Sequence, residues 1–150
     1  MSPTARAALV AVATVAADQA AKALVRAEIE RGDEARLILG IKLVNVRNDG
    51  IAFGFFSGGG VVLVIFAVAA LTALLIFFAR HRDRPLVWLP TGLLIGGAAG
   101  NLIDRLRDHA VTDFIKLPHW PAFNVADMAI TFGVLSLLYV LEGPPRHGRR

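Results

Sequence analysis

Asp113 and Asp127 have the residue type and setting that hydrolytic chemistry needs. Asp113 lies in a short β-like run at 111–115, and Asp127 lies in an apolar block that begins at residue 122. Asp127 has no basic residue three or four positions away to neutralise it, and desolvation disfavours a charged carboxyl in such a place. Two carboxyl groups that approach each other share one proton, because their charges repel. Such a pair could activate a water molecule and protonate an amide leaving group.

A second set of polar residues could serve either chemistry or structure. Asn101, Asp104 and Arg105 are spaced i, i+3 and i+4, so they share one face of a helix. Asp104 and Arg105 could form an ion pair, with each other or across helices. A polar network that locks helices together explains these residues as well as a catalytic role does. Asp18 and Lys22, spaced i and i+4, can neutralise each other and are predicted to be a structural pair.

Several other chemistries are excluded or disfavoured. The chain has no Cys, which rules out disulfides, a Cys nucleophile and Cys-based metal sites. Its four histidines are scattered without an i, i+4 pair, so we predict neither a metal nor another cofactor. Ser57 lacks a nearby base with a clear role. The small-residue run at 96–100 lacks the Lys-Ser/Thr that follows a phosphate loop, and it favours close packing of helices instead.

The apolar blocks that must position these residues indicate a membrane protein. Hydrophobic residues make up 55% of the 150 residues and charged residues only 19%, whereas soluble domains have about 25% charged residues. A membrane span needs roughly 20 predominantly apolar residues. The sequence contains four such blocks, at 7–25, 61–79, 86–105 and 122–141. We therefore predict an all-α membrane protein of four transmembrane helices in one domain, residues 1–150, with a disordered basic tail at 143–150.

The first block could instead be a cleaved signal peptide, because Arg6 precedes an apolar run that leads to small residues. The helical pattern nevertheless continues past Asp18 and Lys22 as far as Val25. This continuation favours a transmembrane helix.

The arginines predict how the helices are oriented. The connector at 80–84 carries three arginines in five residues, and both termini, which lie on the same side as this connector, are also basic. The other side carries a similar number of Lys and Arg, but over far longer segments. Since Lys and Arg near the span ends favour the cytoplasm, we predict that both termini are cytoplasmic. The net charge of +4 then reflects topology, and no nucleic-acid partner is predicted.

The outer segments are predicted to carry a small extramembrane β element. Gly40 precedes a β-branched, partly alternating run at 41–46, which predicts a short strand. The sequence NDG at 48–50 predicts a turn. With this topology every notable polar residue gathers toward the outer leaflet. Asp127, about five residues into the fourth block, would lie roughly 8 Å deep.

Five short motifs of the chain resemble, in order, those of lipoprotein signal peptidase, also called signal peptidase II. They are DQAAK at 18–22, NDGIAF at 48–53, GNLIDR at 100–105, VTDFI at 111–115 and FNVAD at 123–127. Each would be a weak signal by itself, but five in register form a specific one that fits the four-helix layout. Two departures are Ile51, where the family often has a smaller residue, and Met128, where a small or hydroxyl residue is common. Both concern specificity more than activity.

The resemblance implies an aspartic endopeptidase of the bacterial cytoplasmic membrane. It would cleave prolipoproteins just before a diacylglyceryl-modified Cys, with Asp113 and Asp127 as the catalytic pair. The residues expected to line or brace the site are Asn48, Gly50, Asn101, Asp104, Arg105 and Asn124. The outer strand would belong to a small sheet that cradles the substrate. The expected partners are lipid-modified prolipoproteins and membrane lipid, and the chain is expected to act as a monomer.

Two other functions are alternatives to a peptidase. A small transporter or proton-conducting subunit could use Asp18, Asp104 and Asp127 as a relay. Such a relay needs charges at several depths, including the inner half of a span, and the sequence places none there. A purely structural scaffold predicts that Asp127→Asn has no effect, whereas a peptidase predicts loss of cleavage.

Overall fold

The computed structural model describes residues 1–49 and 59–142. The helices in these ranges are α1 (Pro3–Glu28), α2 (Gly59–His81), α3 (Trp88–Asp108) and α4 (Val125–Glu142). The strands are β1 (Glu34–Arg36), β2 (Lys42–Asn48) and β3 (Val111–Lys116). Gly50, the rest of the motif at 48–53 beyond Asp49, and the predicted disordered tail at 143–150 lie outside the described residues.

Three helical segments are long and apolar enough to cross a membrane, namely Pro3–Glu28, Val61–His81 and Val125–Glu142. They coincide with three of the four predicted blocks, so the chain is an integral membrane protein. The remaining block, at 86–105, is found as α3, which has 21 residues. α3 has the length of a span but is not among the three segments that are also sufficiently apolar.

α3 is the central helix, because it contacts α1, α2 and α4. Its glycines allow the neighbours to approach closely. A Cβ on Gly96 would lie 2.7 Å from the backbone oxygen of Ala11 in α1, and a Cβ on Gly97 would lie 2.5 Å from that of Ala126 in α4. Small residues at such contacts are a common basis for helix association in membranes. The glycines and the polar residues that suit α3 to a central position also lower its hydropathy.

An apolar cluster joins three helices at the end of the bundle where the chain starts. Its buried members are Ala7 near the start of α1, Phe78 near the end of α2 and Val87 just before α3. The opposite end of the bundle, where α1 and α3 finish, carries the sheet, which contacts both helices. The apolar and the polar parts of the fold are thus at opposite ends.

Two helix starts differ from the predicted blocks. α3 begins two residues late because Leu86 has a φ of 64°, a left-handed conformation that interrupts a helix. α4 begins at Val125, three residues late, because Phe123 still pairs with Ile115 in an extended bridge. Asp127 is therefore the third residue of α4. The prediction that it lies about five residues into the helix is wrong.

The strands form one antiparallel sheet in the order β1-β2-β3. β2 contains most of the strand predicted at 41–46 and extends it to Asn48. In the pairing of β2 with β3, Val46 lies opposite Asp113 and Asn48 lies opposite Val111. This register brings the end of β2 beside Asp113, which is far from it along the chain.

Candidate active site

Asn124, which is fully buried, links the two carboxyl groups singled out from the sequence. Its Nδ2 donates to Asp113 Oδ1 at 2.7 Å, and its backbone N–H donates to Asp127 Oδ2 at 3.2 Å. In return, Asn124 Oδ1 accepts a hydrogen bond from the backbone N–H of Asp127 at 2.9 Å. This reciprocal pairing across the first turn of α4 is a capping box. The start of the helix therefore fixes the orientation of the Asp127 carboxyl group.

Each of the two carboxyl groups also accepts a hydrogen bond from another element. Asn48 Nδ2, at the end of β2, donates to Asp113 Oδ2 at 2.9 Å. Asn101 Nδ2, on α3, donates to Asp127 Oδ1 at 2.8 Å. Both oxygens of both aspartates are thus held by amide groups. In residues 1–49 and 59–142, neither aspartate forms a salt bridge.

The surroundings of Asp113 favour the protonated form of its carboxyl group, compared with an aspartate exposed to water. The residue is buried, with 3% of its surface exposed, and this burial is the main cause that raises the pKa of Asp113 to about 6. Repulsion from Asp127 also raises that pKa, whereas the hydrogen bonds from Asn48 and Asn124 lower it because they favour the ionised carboxylate. Asp127 is only half-buried. The Asp127 carboxyl group is therefore close enough to affect the charge of Asp113.

A buried ion cluster lies directly behind this pair. Lys22 Nζ is 2.8 Å from Asp18 Oδ2 and 2.9 Å from Asp104 Oδ2, and all three side chains have no exposed surface. Lys22 also donates to Asn101 Oδ1 at 3.0 Å. The same Asn101 donates from its other amide atom to Asp127. Asp18 and Lys22 thus form the predicted structural pair, and one asparagine connects that pair to the site.

The ion cluster joins three helices. Lys22 and Asp18 are on α1, and Asp104 is on α3. Asp18 Oδ1 accepts a hydrogen bond from the backbone N–H of Ala126, in the first turn of α4, at 2.9 Å. Asp18 therefore satisfies one of the N–H groups that a helix start leaves without an intrahelical partner.

The ionic partner of Asp104 comes from across the helix interface and not from its neighbour Arg105. Within the described ranges Asp104 pairs with Lys22 and, at 3.6 Å, with Arg107. The half-buried Arg105 donates to the backbone oxygen of Asn101 at 3.5 Å and forms no salt bridge there. Of the two pairings considered for Asp104, the one across helices is found.

Two residues of this network were given no role from the sequence. Gln19 Nε2 donates to Asp104 Oδ1 at 2.9 Å and to the backbone oxygen of Gly100 at 3.2 Å, which ties α1 to α3. The backbone N–H of Thr112 donates to Asp104 Oδ2 at 3.2 Å, which ties β3 to α3. Gln19 belongs to the DQAAK motif, so membership of a motif was its only signal. Thr112 belongs to the VTDFI motif, but it acts in this contact through its backbone N–H, so its side chain gives no signal for the contact.

The arrangement has the parts that water-dependent hydrolysis needs. It offers two adjacent carboxyl groups, one of them with a raised pKa, and amide donors that keep them oriented. Among the described residues, no cluster of three or more His, Asp or Glu side chains is arranged to hold a metal ion. Fold and site together define an integral membrane protein with a paired-aspartate site.

Comparisons with known proteins agree with this class. The family model for signal peptidase (SPase) II matches residues 10–142. The lipoprotein signal peptidase of Moorella thermoacetica is 42% identical over 140 residues, which cover 91% of this chain and 92% of that protein. The one from Syntrophomonas wolfei is 43% identical over 129 residues, with 84% and 87% coverage. A bacterial membrane enzyme structure obtained by the in meso method at 1.9 Å resolution has a TM-score of 0.85 and 31% identity, covering 95% of this chain and 94% of that one.

The chain belongs to the signal peptidase II family. The resemblance seen in the five motifs is therefore confirmed at the level of the family, and the protein is a peptidase.

The buried cluster yields a prediction about stability. Lys22→Met leaves Asp18 and Asp104 without their buried cation, and breaking such a pair by removing one partner costs about 3–5 kcal/mol. We expect a clear fall in the thermal unfolding midpoint of the purified protein in detergent. The matched control is Lys42→Met, because Lys42 pairs with Glu34 at 2.7 Å at an exposed position and exposed pairs contribute little.

A triple variant separates charge imbalance from loss of packing. Lys22→Met combined with Asp18→Asn and Asp104→Asn leaves no unpaired charge in the cluster, so we expect it to regain part of the lost stability. Equal unfolding midpoints for Lys22→Met and Lys42→Met would contradict this account of the cluster.

Proposed function

We propose that the protein removes signal peptides from bacterial prolipoproteins and cuts just before a diacylglyceryl-modified Cys. The observation that carries the proposal is the pair of carboxyl groups, Asp113 and Asp127, held side by side by Asn124. The proposal is supported by membership of the signal peptidase II family and by relatives that are called lipoprotein signal peptidases.

In the proposed mechanism Asp113 and Asp127 share one proton and hold a water molecule. The ionised carboxylate takes a proton from the water molecule while the water oxygen attacks the scissile carbonyl carbon. The protonated carboxyl group stabilises the developing oxyanion and helps to deliver a proton to the leaving nitrogen. The pair titrates as a unit, so the apparent pKa values of catalysis belong to both residues together.

The remaining site residues are proposed to brace this pair. Asn48 and Asn101 would each orient one carboxyl group through the hydrogen bonds that they donate. Asp104 would act from further away by holding Lys22, which in turn orients Asn101. Arg105 and Gly50 are proposed, from the family resemblance, to bind substrate or brace the site.

We propose four spans, with both termini in the cytoplasm and the site toward the outer leaflet. α3 would be the additional span beside the three apolar ones. Its 21 residues make a helix of about 31 Å, which is close to the roughly 30 Å thickness of the hydrocarbon core. Its polar groups would be tolerated because they face other helices rather than lipid. Placing the site at the outer surface suits a substrate whose lipid anchor stays in the bilayer, because water need enter only from outside.

The proposed partners follow from this arrangement. They are lipid-modified prolipoproteins and the surrounding membrane lipid, with the protein acting as a monomer in the bacterial cytoplasmic membrane. The proposal needs no cofactor, metal or nucleic acid.

The first prediction from the proposed function concerns the carboxyl pair. Asp113→Asn and Asp127→Asn should each lower the cleavage rate of a lipidated precursor by about 100- to 10,000-fold or more. Each variant replaces one of the two carboxyl groups that share the proton by an amide, which can act neither as general base nor as general acid. Asp33→Asn is the matched control, since Asp33 is exposed and outside the site. A precursor without the lipid on its Cys should be cut far more slowly by the unmodified protein. Near-normal turnover in either site variant would contradict the assignment of Asp113 and Asp127 as the catalytic pair.

The second prediction concerns pH. The pKa of Asp113 is about 6 while Asn48 donates a hydrogen bond that favours the ionised form. Asn48→Ala removes this hydrogen bond, so the pKa of Asp113 should rise above that value. The midpoint of the pH–rate profile that depends on this carboxyl group should therefore move to higher pH. The measurement is kcat/KM over a pH series, with Asn45→Ala, which loses a bond to a backbone oxygen outside the site, as the control. A shift to lower pH would contradict the role given to Asn48.

The third prediction concerns orientation and uses the absence of Cys from the chain. A single Cys introduced as Asp33→Cys should react with a membrane-impermeant thiol reagent added to intact spheroplasts. A single Cys introduced as Arg82→Cys, in the basic connector, should react only after the membrane is permeabilised. The reverse pattern would overturn the proposed orientation without touching the proposed chemistry.

A further inference from the structure

A cavity separate from the aspartate pair lies at the same end of the bundle. It has a volume of about 710 Å³ and is lined by residues from α1, α3 and the sheet. Four arginines line it, namely Arg26, Arg31, Arg47 and Arg107. The proposed peptidase chemistry uses none of them.

The lining of this arginine pocket has an excess of positive charge. Its acidic members are Glu30 and Asp108, so four positive groups face two negative ones and leave a net charge of about +2. Asp108 is engaged with Arg107 at 2.7 Å, and Arg47 pairs with Asp49 at 2.8 Å. Within the described residues, Arg26 and Arg31 form no salt bridge. Arg31 is therefore available to an anion from outside the chain. Arg26 already donates to Thr112 and is attracted to Asp108, but its guanidinium group has further N–H donors to offer.

Helix ends explain only part of this clustering. Arg26 and Arg107 are in the last turns of α1 and α3, where the helix dipole favours a cation whatever its other role. Arg47 lies in β2 but donates to the backbone oxygen of Asp108, the last residue of α3, at 2.7 Å, so a helix end accounts for it as well. Arg31 lies beyond the end of α1 and is not explained in this way. Arg31 also makes no hydrogen bond with any described residue. Arg31 is thus the arginine of the pocket that the helix ends do not explain.

The position of the pocket points to the membrane surface. α1 is one of the segments that can span the membrane, and the pocket begins at Arg26, where that helix is about to end. A cavity at the end of a span lies at the depth of the lipid headgroups. Guanidinium groups bind phosphate through paired, charge-assisted hydrogen bonds, and basic pockets between transmembrane helices are known to bind phospholipid headgroups.

The pocket is also in contact with the strand that carries Asp113. Arg26 donates to Thr112 Oγ1 at 3.1 Å, and Thr112 lines the pocket. Because successive residues of a strand point to opposite faces, Thr112 can face the pocket while Asp113 faces Asn124. An anion bound to Arg26 would therefore lie beside the candidate catalytic strand, next to the residue that precedes Asp113.

We propose that the arginine pocket binds a phosphate-bearing anion, supplied by the headgroup of an anionic phospholipid. The proposal concerns a separate cavity and does not depend on the peptidase activity. It holds for either orientation of the protein, because both membrane surfaces present phosphate groups.

The test measures lipid binding to the full-length protein in neutral detergent by titration calorimetry. Phosphatidylglycerol is the anionic probe, and phosphatidylcholine is the control without net charge. Near a membrane surface each Lys or Arg contributes about 1 kcal/mol to anionic lipid binding, or roughly fivefold in Kd. Arg26→Gln and Arg31→Gln should each weaken phosphatidylglycerol binding by about that factor, and Arg31→Gln should do so without changing the unfolding midpoint. Phosphatidylcholine should bind more weakly and respond less.

The matched control is Arg36→Gln, which removes the same charge from the exposed strand β1, outside the pocket. It should leave phosphatidylglycerol binding unchanged. Inorganic phosphate is the second arm. If inorganic phosphate binds and Arg31→Gln weakens that binding, but phosphatidylglycerol does not bind, the pocket is a phosphate site and the proposal that a lipid headgroup supplies the phosphate is overturned. Binding of neither probe, or equal losses in Arg31→Gln and Arg36→Gln, overturns the site itself.

Discussion

The arrangement of the helices depends on one buried positive charge, the ammonium group of Lys22. A buried charge is tolerated only when it is paired and hydrogen-bonded, and Lys22 finds its partners on α1 itself and on α3. This requirement fixes how the two helices sit against each other. Because one of these partners, Asp18, also accepts the backbone N–H of Ala126, the start of α4 is held in the same network.

The same charge determines how the site is oriented. Lys22 occupies the oxygen of the Asn101 amide, so only the nitrogen of that amide is presented to Asp127. The molecule thus contains two kinds of buried carboxyl group. Asp104 faces an ammonium group and serves structure, whereas Asp113 faces amides and has a raised pKa suited to proton transfer. The same residue type takes different roles because its surroundings differ.

Some of the site could be predicted because its interactions are local. The i, i+4 spacing of Asp18 and Lys22 is enough to predict their pairing. The capping box of Asn124 and Asp127 is local too, but a helix expected to begin at residue 122 does not predict it. Other contacts join residues that are far apart in the chain. Asn48 reaches Asp113 across 65 positions, and only the register of β2 and β3 brings them together. Spacing along a helix allowed an ion pair of Asp104 with Arg105 or across helices, and only packing selects Lys22.

The sequence by itself determined the membrane class, three apolar spans and the residue types of the site, because composition, apolar block length and short motifs are properties of the chain. The tertiary structure decided the rest. It places α3 at the centre, where glycine contacts and polar partners replace the apolar surface that marks the three apolar spans. It also moves Asp127 into the first turn of α4, since the bridge between Phe123 and Ile115 delays the helix. These outcomes depend on which groups meet across elements, and that is settled only when the helices pack and the buried charges find their partners.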